Sequence, residues 1–110
     1  MAKQIPKKIM SIINETRKCI DAVYAQQTKE LILFGSYARG DYEAGSDIDL
    51  LLLLDHLDDM DTERARYMPT VCELSLKYDT VVSVIPMEYE TYQTRKTPLI
   101  LNVQREGVRL

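Results

Sequence analysis

The sequence predicts a fold of the α/β class, because stretches with helical periodicity alternate with short apolar runs typical of β-strands. Residues 7–26 place apolar side chains three and four positions apart, with Lys and Glu between them, which indicates an amphipathic helix. The runs "ELILFG", "SDIDLLLLLD" and "TVVSVIP" have the length and composition of strands. Residues 62–78, between the second and third runs, have helix composition, with acidic character at the start and a lysine near the end.

The second strand, about residues 47–55, changes character along its length. Asp47 and Asp49 alternate with Ile48 and Leu50, whereas the leucines that follow are apolar on both faces of the strand. Such a segment must be covered on both sides, and a chain of 110 residues can hardly cover both faces of its sheet alone. This pattern favours a partner protein or a homo-oligomer.

Two prolines mark points where the prediction depends on local geometry. Pro69 falls inside the helix at 62–78, so either that helix kinks there or a new helix starts with Pro69 in its first turn. Pro86 is expected to end the third strand. Beyond it, "MEYETYQTR" and "PLILNVQREG" predict two short helices, and the last three residues predict a short final strand.

Composition limits the kind of protein and its partners. The 110 residues predict one domain, residues 1–110, and a net charge of −3 argues against polymeric nucleic acid as a partner. No apolar run approaches the roughly 20 residues of a membrane span, and the start of the chain lacks a secretory signal. We therefore expect a cytoplasmic protein. His56 is the only histidine, which excludes Ser-His-Asp and multi-histidine zinc chemistry within the chain.

A candidate site lies between residues 35 and 49. Asp47 and Asp49 are two positions apart on a strand, so their side chains point to one face and can share a hard cation such as Mg²⁺. Gly35 lets the backbone approach a phosphate closely, and the Ser36 hydroxyl and nearby N–H groups can donate to it. Arg39, one turn along a short helix, can reach the phosphates or pair with a nearby aspartate.

The stretch "GSYARGDYEAGSDIDL", residues 35–50, resembles the signature of the DNA polymerase β nucleotidyltransferase superfamily, in which Gly-Ser is followed by ten residues and then Asp-x-Asp. The short chain and the ending "REGVRL" are similar to the minimal nucleotidyltransferases (MNT) found in HEPN/MNT toxin-antitoxin pairs. The resemblance implies the α/β (α+β) nucleotidyltransferase fold, a small mixed β-sheet flanked by helices on one face.

The same resemblance implies a function and its residues. Gly35, Ser36 and Arg39 would bind ATP or another nucleoside triphosphate, while Asp47 and Asp49 would be the catalytic pair and hold Mg²⁺, with two ions possible. The expected reaction is Mg²⁺-dependent transfer of a nucleoside monophosphate, most simply AMP from ATP, to a hydroxyl acceptor. The acceptor is a hydroxyl of a protein or of a small molecule, and a partner HEPN toxin protein is one candidate to carry it.

A third carboxylate, which this superfamily usually carries on the neighbouring strand, is replaced here by Ser83; Asp79 and Glu88 are the nearest acidic residues. Because a serine binds Mg²⁺ weakly and is a poor base, a second function stays open. In it the protein is an antitoxin-like binding module, with weak or no catalysis, that neutralises a HEPN partner by contact. A third alternative is the catalytic subunit of a small-molecule nucleotidyltransferase whose acceptor pocket lies on another chain.

Overall fold

The structure, a computed structural model, describes residues 5–110, so residues 1–4 of the predicted domain lie outside it. The helices within this range are α1 (Lys7–Tyr24), α2 (Ser36–Arg39), α3 (Met60–Tyr78), α4 (Tyr89–Thr94) and α5 (Pro98–Glu106). The strands are β1 (Thr28–Phe34), β2 (Ile48–Leu54), β3 (Val82–Glu88) and β4 (Val108–Arg109). None of the helices in residues 5–110 has the length and apolar character that crossing a membrane requires.

The strands form a mixed sheet in the order β3-β2-β1-β4. β2 pairs antiparallel with β1 and parallel with β3, and the short β4 pairs antiparallel with the other side of β1. The parallel pair is joined through α3, as a parallel pair needs a long crossover connection. The end of β1 and the starts of β2 and β3 therefore meet at one end of the sheet. The predicted α/β fold with a small mixed sheet is confirmed.

Helices cover both faces of this sheet, whereas the sequence predicted them on one. On one face α1 and α3 pack against the side chains of Ile48, Leu50, Leu52 and Leu54. On the other face α4 and α5 contribute Tyr92, Ile100 and Val103, which pack with Leu51 and Leu53. Leu51 and Leu53 are fully buried by the chain itself. The two-sided apolar strand thus needs no partner to cover it, contrary to the expectation from its pattern.

The two prolines have different outcomes. α3 continues through Pro69 as one helix, because its buried residues Tyr67, Val71 and Leu74 hold it to the core on both sides of the proline. β3 does not end at Pro86, as predicted, but runs on to Glu88. β3 is an edge strand with a neighbour on one side only, and an edge strand tolerates the missing N–H of a proline.

A buried carboxylate joins α1 to the start of α3. Glu63 is fully buried, and its Oε1 accepts a hydrogen bond from the Tyr24 hydroxyl at 2.9 Å. Its Oε2 accepts one from the backbone N–H of Asp58 at 2.8 Å, and the Arg66 guanidinium lies 3.4 Å from the same oxygen. Burial and the Glu63 carboxylate raise the pKa of the Tyr24 hydroxyl, so it stays protonated as a donor. These bonds compensate the desolvation of the buried charge.

Glu63→Gln is expected to lower the free energy of unfolding by about 1–3 kcal/mol, because an amide has one acceptor oxygen and cannot serve both Tyr24 and Asp58. Urea denaturation measures this difference. Glu73→Gln, at an exposed position of the same helix, is the matched control and should leave the midpoint unchanged. Equal midpoints for the two variants would show that the buried carboxylate contributes nothing.

Candidate active site

The residues predicted to bind nucleotide and metal line one depression of about 370 Å³; they are Gly35, Ser36, Arg39, Asp47 and Asp49. Phe34, the last residue of β1, pairs with Asp49 near the start of β2, so the turn after β1 passes beside the aspartates. A depression of about 440 Å³ beside α4 has Glu30 as its only lining carboxylate among the described residues. The candidate active site is therefore the smaller depression, because it is the one lined by the paired aspartates and the Gly-Ser turn.

Gly35 is required by the backbone at this turn. Its φ of 77° and ψ of −157° lie in a region that is essentially restricted to glycine. A Cβ at this position would lie 2.3 Å from Oδ2 of Asp49, well inside van der Waals contact. The Asp49 carboxylate thus packs directly against the glycine, and the turn and the aspartate are sterically coupled.

The electrostatics of Asp49 indicate a site with uncompensated negative charge. Burial raises the pKa of the Asp49 carboxyl, and the charge of Asp47 raises it further, while the charge of Arg39 lowers it. Asp49 is partly buried and Asp47 is exposed. Two neighbouring carboxylates repel each other, and a divalent cation would relieve that repulsion. Their oxygen atoms are the hard ligands that Mg²⁺ prefers, so these residues fit the predicted ion. Within residues 5–110, no group of three or more Asp, Glu, His or Cys side chains is arranged to hold a metal.

Arg39 is paired with carboxylates at the rim of the depression. Its Nε donates to Oδ2 of Asp41 at 3.1 Å, which is one of the two arrangements predicted from the sequence. Its Nη1 donates to Oε1 of Glu106 at 3.1 Å. These two hydrogen bonds raise the pKa of the guanidinium, the bond to Asp41 more than the bond to Glu106.

Ser83 lies beside Asp49, at the position predicted for it. The two residues are Cα partners in the parallel pair of β2 and β3, so their side chains point to the same face. Glu88 pairs with Leu54 at the far end of β2, roughly 16 Å from Ser83 along the strand. Asp79 caps the end of α3 and lines a separate depression together with Tyr37 and Tyr42. Neither acidic residue takes the place of Ser83 next to Asp49.

Sequence reasoning missed the contribution of α5 to this site. Leu99, Asn102 and Glu106 line the same depression as the aspartates. Their spacing of three and four places them on one stripe of the helix, and that regularity was the available signal. A helical stripe alone does not reveal which part of the sheet it faces, so the signal could not be assigned to the site.

The sequence is similar to a family of known proteins and to two curated relatives. A model of the nucleotidyltransferase domain family matches residues 7–104. Two curated proteins of Methanocaldococcus jannaschii, MJ0141 and MJ0604, are provisionally named protein adenylyltransferases and are 38% and 37% identical over 101 and 84 residues. The matches cover 92% and 76% of this chain, and 97% and 77% of the two relatives.

Solved structures with the same fold are more distant in sequence. A toxin-antitoxin crystallised with AMP-PNP has a TM-score of 0.61 at 20% identity, over 86% of this chain and 69% of that one. The tri-AMPylated Shewanella oneidensis HEPN toxin in complex with MNT antitoxin has a TM-score of 0.61 at 19% identity, over 91% and 69%. A Sulfolobus solfataricus protein, provisionally named a nucleotidyltransferase, has a TM-score of 0.51 at 22% identity, over 99% and 89%.

At these identities the solved structures establish the fold alone. The family model spans most of the chain, and the first curated relative is matched over nearly its whole length. These findings confirm the predicted resemblance and the predicted enzyme class, a nucleotidyltransferase. This chain belongs to the nucleotidyltransferase domain family.

Proposed function

We propose that this protein transfers AMP from ATP, with Mg²⁺, to a hydroxyl group of a protein partner. The observation that carries the proposal is the meeting of Gly35, Ser36 and Arg39 with the Asp47 and Asp49 pair around one depression. The choice of AMP and of a protein acceptor is supported by the names of the curated relatives. A toxin-antitoxin of the same fold was crystallised with AMP-PNP, which supports ATP as the donor.

Each residue has a distinct role in this proposal. Asp47 and Asp49 would hold Mg²⁺, which when bound neutralises charge on the phosphates. The turn at Gly35 and Ser36 brings backbone close to the triphosphate, and Arg39 adds a guanidinium at the rim of the site. The acceptor oxygen bonds to the α-phosphorus, the bond between the α-phosphorus and the bridging oxygen breaks, and pyrophosphate leaves. The hydroxyl proton is released to solvent.

Ser83 bears on the choice of acceptor. The strand beside Asp49 offers a hydroxyl where the superfamily usually carries a carboxylate, so this strand supplies no strong base. An acceptor that ionises easily is then favoured, and a tyrosine phenol, with a pKa of about 10, loses its proton most readily among hydroxyl side chains. We expect transfer to tyrosine to exceed transfer to serine or threonine.

The proposed partner is a HEPN-domain protein. Solved complexes with the same fold join an MNT antitoxin to a HEPN toxin, and in one of them the toxin is tri-AMPylated. A second copy of this chain is the other arrangement that the sequence predicts. Size-exclusion chromatography with light scattering, on the protein alone and mixed with a co-encoded HEPN protein, distinguishes the two.

The test of the function uses ATP labelled at either the α- or the γ-phosphate, incubated with the protein, Mg²⁺ and the HEPN protein. Transfer of the α-label to the HEPN protein, with no transfer of the γ-label, is the expected result. An α,β-methylene analogue of ATP should block the reaction because the bond that must break is replaced. Transfer of the γ-label would instead identify a kinase, and transfer of neither label with any divalent cation would refute the proposal.

The replacement by Ser83 also favours the second function, neutralisation of a HEPN partner by contact alone. In that case Asp47→Asn/Asp49→Asn should neutralise the partner as well as the unchanged protein does. A double variant that still binds the partner but no longer neutralises it would exclude contact as the mechanism. The covering of Leu51 and Leu53 by α4 and α5 removes the other argument for this function.

A further inference from the structure

Arg39 lines the same depression as the paired aspartates Asp47 and Asp49. Its hydrogen bonds go to two other carboxylates, Asp41 and Glu106, each at 3.1 Å. The side chain of Arg39 is 43% exposed, and ion pairs of exposed side chains are weak enough for the partners to exchange. A guanidinium that turned toward the aspartates would occupy the oxygens that a cation needs.

Glu106 is held far more firmly than Asp41. The Glu106 side chain is 17% exposed, against 62% for Asp41. Glu106 ends α5, which is anchored in the core by Ile100 and Val103. An exposed ion pair such as that with Asp41 is weak and screened by salt, whereas a half-buried carboxylate on a fixed helix keeps its geometry.

The chain beyond Glu106 fixes its position relative to β1. Gly107 packs so closely that a Cβ there would lie 2.5 Å from the carbonyl oxygen of Val103 and 2.7 Å from Cγ2 of Ile32. β4 then pairs with β1 through Ile32 and Arg109. Because β1 also leads into the turn at Gly35, Glu106 and the depression are tied to the same strand.

We infer that Glu106 is a positioning residue, which holds Arg39 away from Asp47 and Asp49 so that the two aspartates stay available to a divalent cation. This inference rests on the proposed function of the site. Glu106 acts through Arg39, from which it accepts a hydrogen bond at 3.1 Å, and within residues 5–110 it does not form a group of three acidic side chains arranged to hold a metal with Asp47 and Asp49. Its loss leaves Arg39 with Asp41 alone, and the guanidinium then competes with the cation for Asp49.

The test measures binding of a β,γ-imido analogue of ATP by calorimetry at increasing Mg²⁺. We expect Glu106→Gln to raise the Mg²⁺ concentration needed for half-maximal analogue binding about five- to tenfold, the effect of about 1–1.4 kcal/mol of competition. Saturating Mg²⁺ should restore analogue binding to Glu106→Gln. The Mg²⁺ concentration that Glu106→Asp needs for half-maximal binding should lie between those of Glu106→Gln and the unchanged protein. Glu90→Gln, which removes an equal charge from α4, is the matched control and should leave the Mg²⁺ dependence as it is.

A double-mutant cycle tests whether Glu106 acts through Arg39. In the background of Arg39→Gln the competitor is gone, so adding Glu106→Gln should change the Mg²⁺ dependence no further. The inference would be overturned if Glu106→Gln changed the Mg²⁺ dependence of analogue binding equally with and without Arg39, or did not change it at all. The proposed function would stay intact in both cases. If the unchanged protein bound the analogue without any Mg²⁺ dependence, the proposed function and the inference would fall together.

Discussion

Asp49→Asn is expected to abolish AMP transfer while it makes the protein more stable in the absence of divalent cations. On activity we expect a loss of about a thousandfold or more, because several kcal/mol of charge stabilisation by the ion is lost and about 1.4 kcal/mol corresponds to tenfold. The transfer assay with the α-labelled donor measures it. Asparagine has nearly the shape of aspartate, so it fits against Gly35 without disturbing the turn.

The gain in stability follows from the sign of the pKa shift. Burial, together with Asp47, raises the pKa of the Asp49 carboxyl in the folded chain, so the folded state binds this proton more tightly than the unfolded state. Stability therefore falls as the pH rises through the ordinary and then the raised pKa, and the full cost is present at neutral pH. The advantage of Asp49→Asn should be absent at a pH below the ordinary carboxyl pKa and should grow toward neutrality.

Thermal unfolding with and without Mg²⁺ completes this prediction. Mg²⁺ should raise the melting temperature of the unchanged protein, since a ligand that binds only the folded state stabilises it, and should have little effect on Asp49→Asn. Asp55→Asn is the matched control, because Asp55 follows the other end of β2 and forms an exposed pair with Lys29. The contrary result would be an Asp49→Asn variant no more stable than Asp55→Asn at neutral pH, with divalent cations removed by a chelator. The charge of Asp49 would then not destabilise the folded state.

The part of the site that sequence could predict is the part built from consecutive segments. The turn at Gly35 and Ser36 follows β1, and the aspartates come after ten residues that follow Ser36, at the start of the next strand. Antiparallel pairing of these two consecutive strands brings the turn and the aspartates together. The resemblance to the superfamily placed Ser83 on the neighbouring strand where a third carboxylate is usual, and the observed register pairs Ser83 with Asp49.

The contribution of the C-terminal half depends on tertiary packing, which periodicity does not encode. Arg39 and Glu106 are 67 positions apart, and their contact exists only because α5 packs on the second face of the sheet. The same packing covers Leu51 and Leu53, whose apolar character had favoured a partner. Pro86 shows the same limit, since whether a proline ends a strand depends on that strand being at the edge of the sheet.

Gly35→Ala is expected to impair the site even in molecules that fold. The φ and ψ angles of Gly35 are essentially restricted to glycine, so strain should lower the free energy of unfolding by about 1–3 kcal/mol. In addition the new methyl group would lie 2.3 Å from Oδ2 of Asp49, so the carboxylate must rotate away. A displacement of about 1 Å at a reacting centre costs about a hundredfold in rate, and we expect transfer to fall by at least that factor.

Gly45→Ala is a control that distinguishes backbone strain at a positive φ from a steric clash of the new methyl group with Asp49. Gly45 also has a positive φ, of 86°, but a Cβ there would meet no described atom within 4 Å. Both variants should lose stability in urea denaturation, whereas only Gly35→Ala should weaken Mg²⁺-dependent binding of the ATP analogue. If Gly35→Ala bound the analogue as tightly as Gly45→Ala does, the contact between the glycine and Asp49 would be a feature of packing alone. Loss confined to Gly35→Ala would show that the missing side chain at this turn sets the position of the carboxylate on which the proposed chemistry depends.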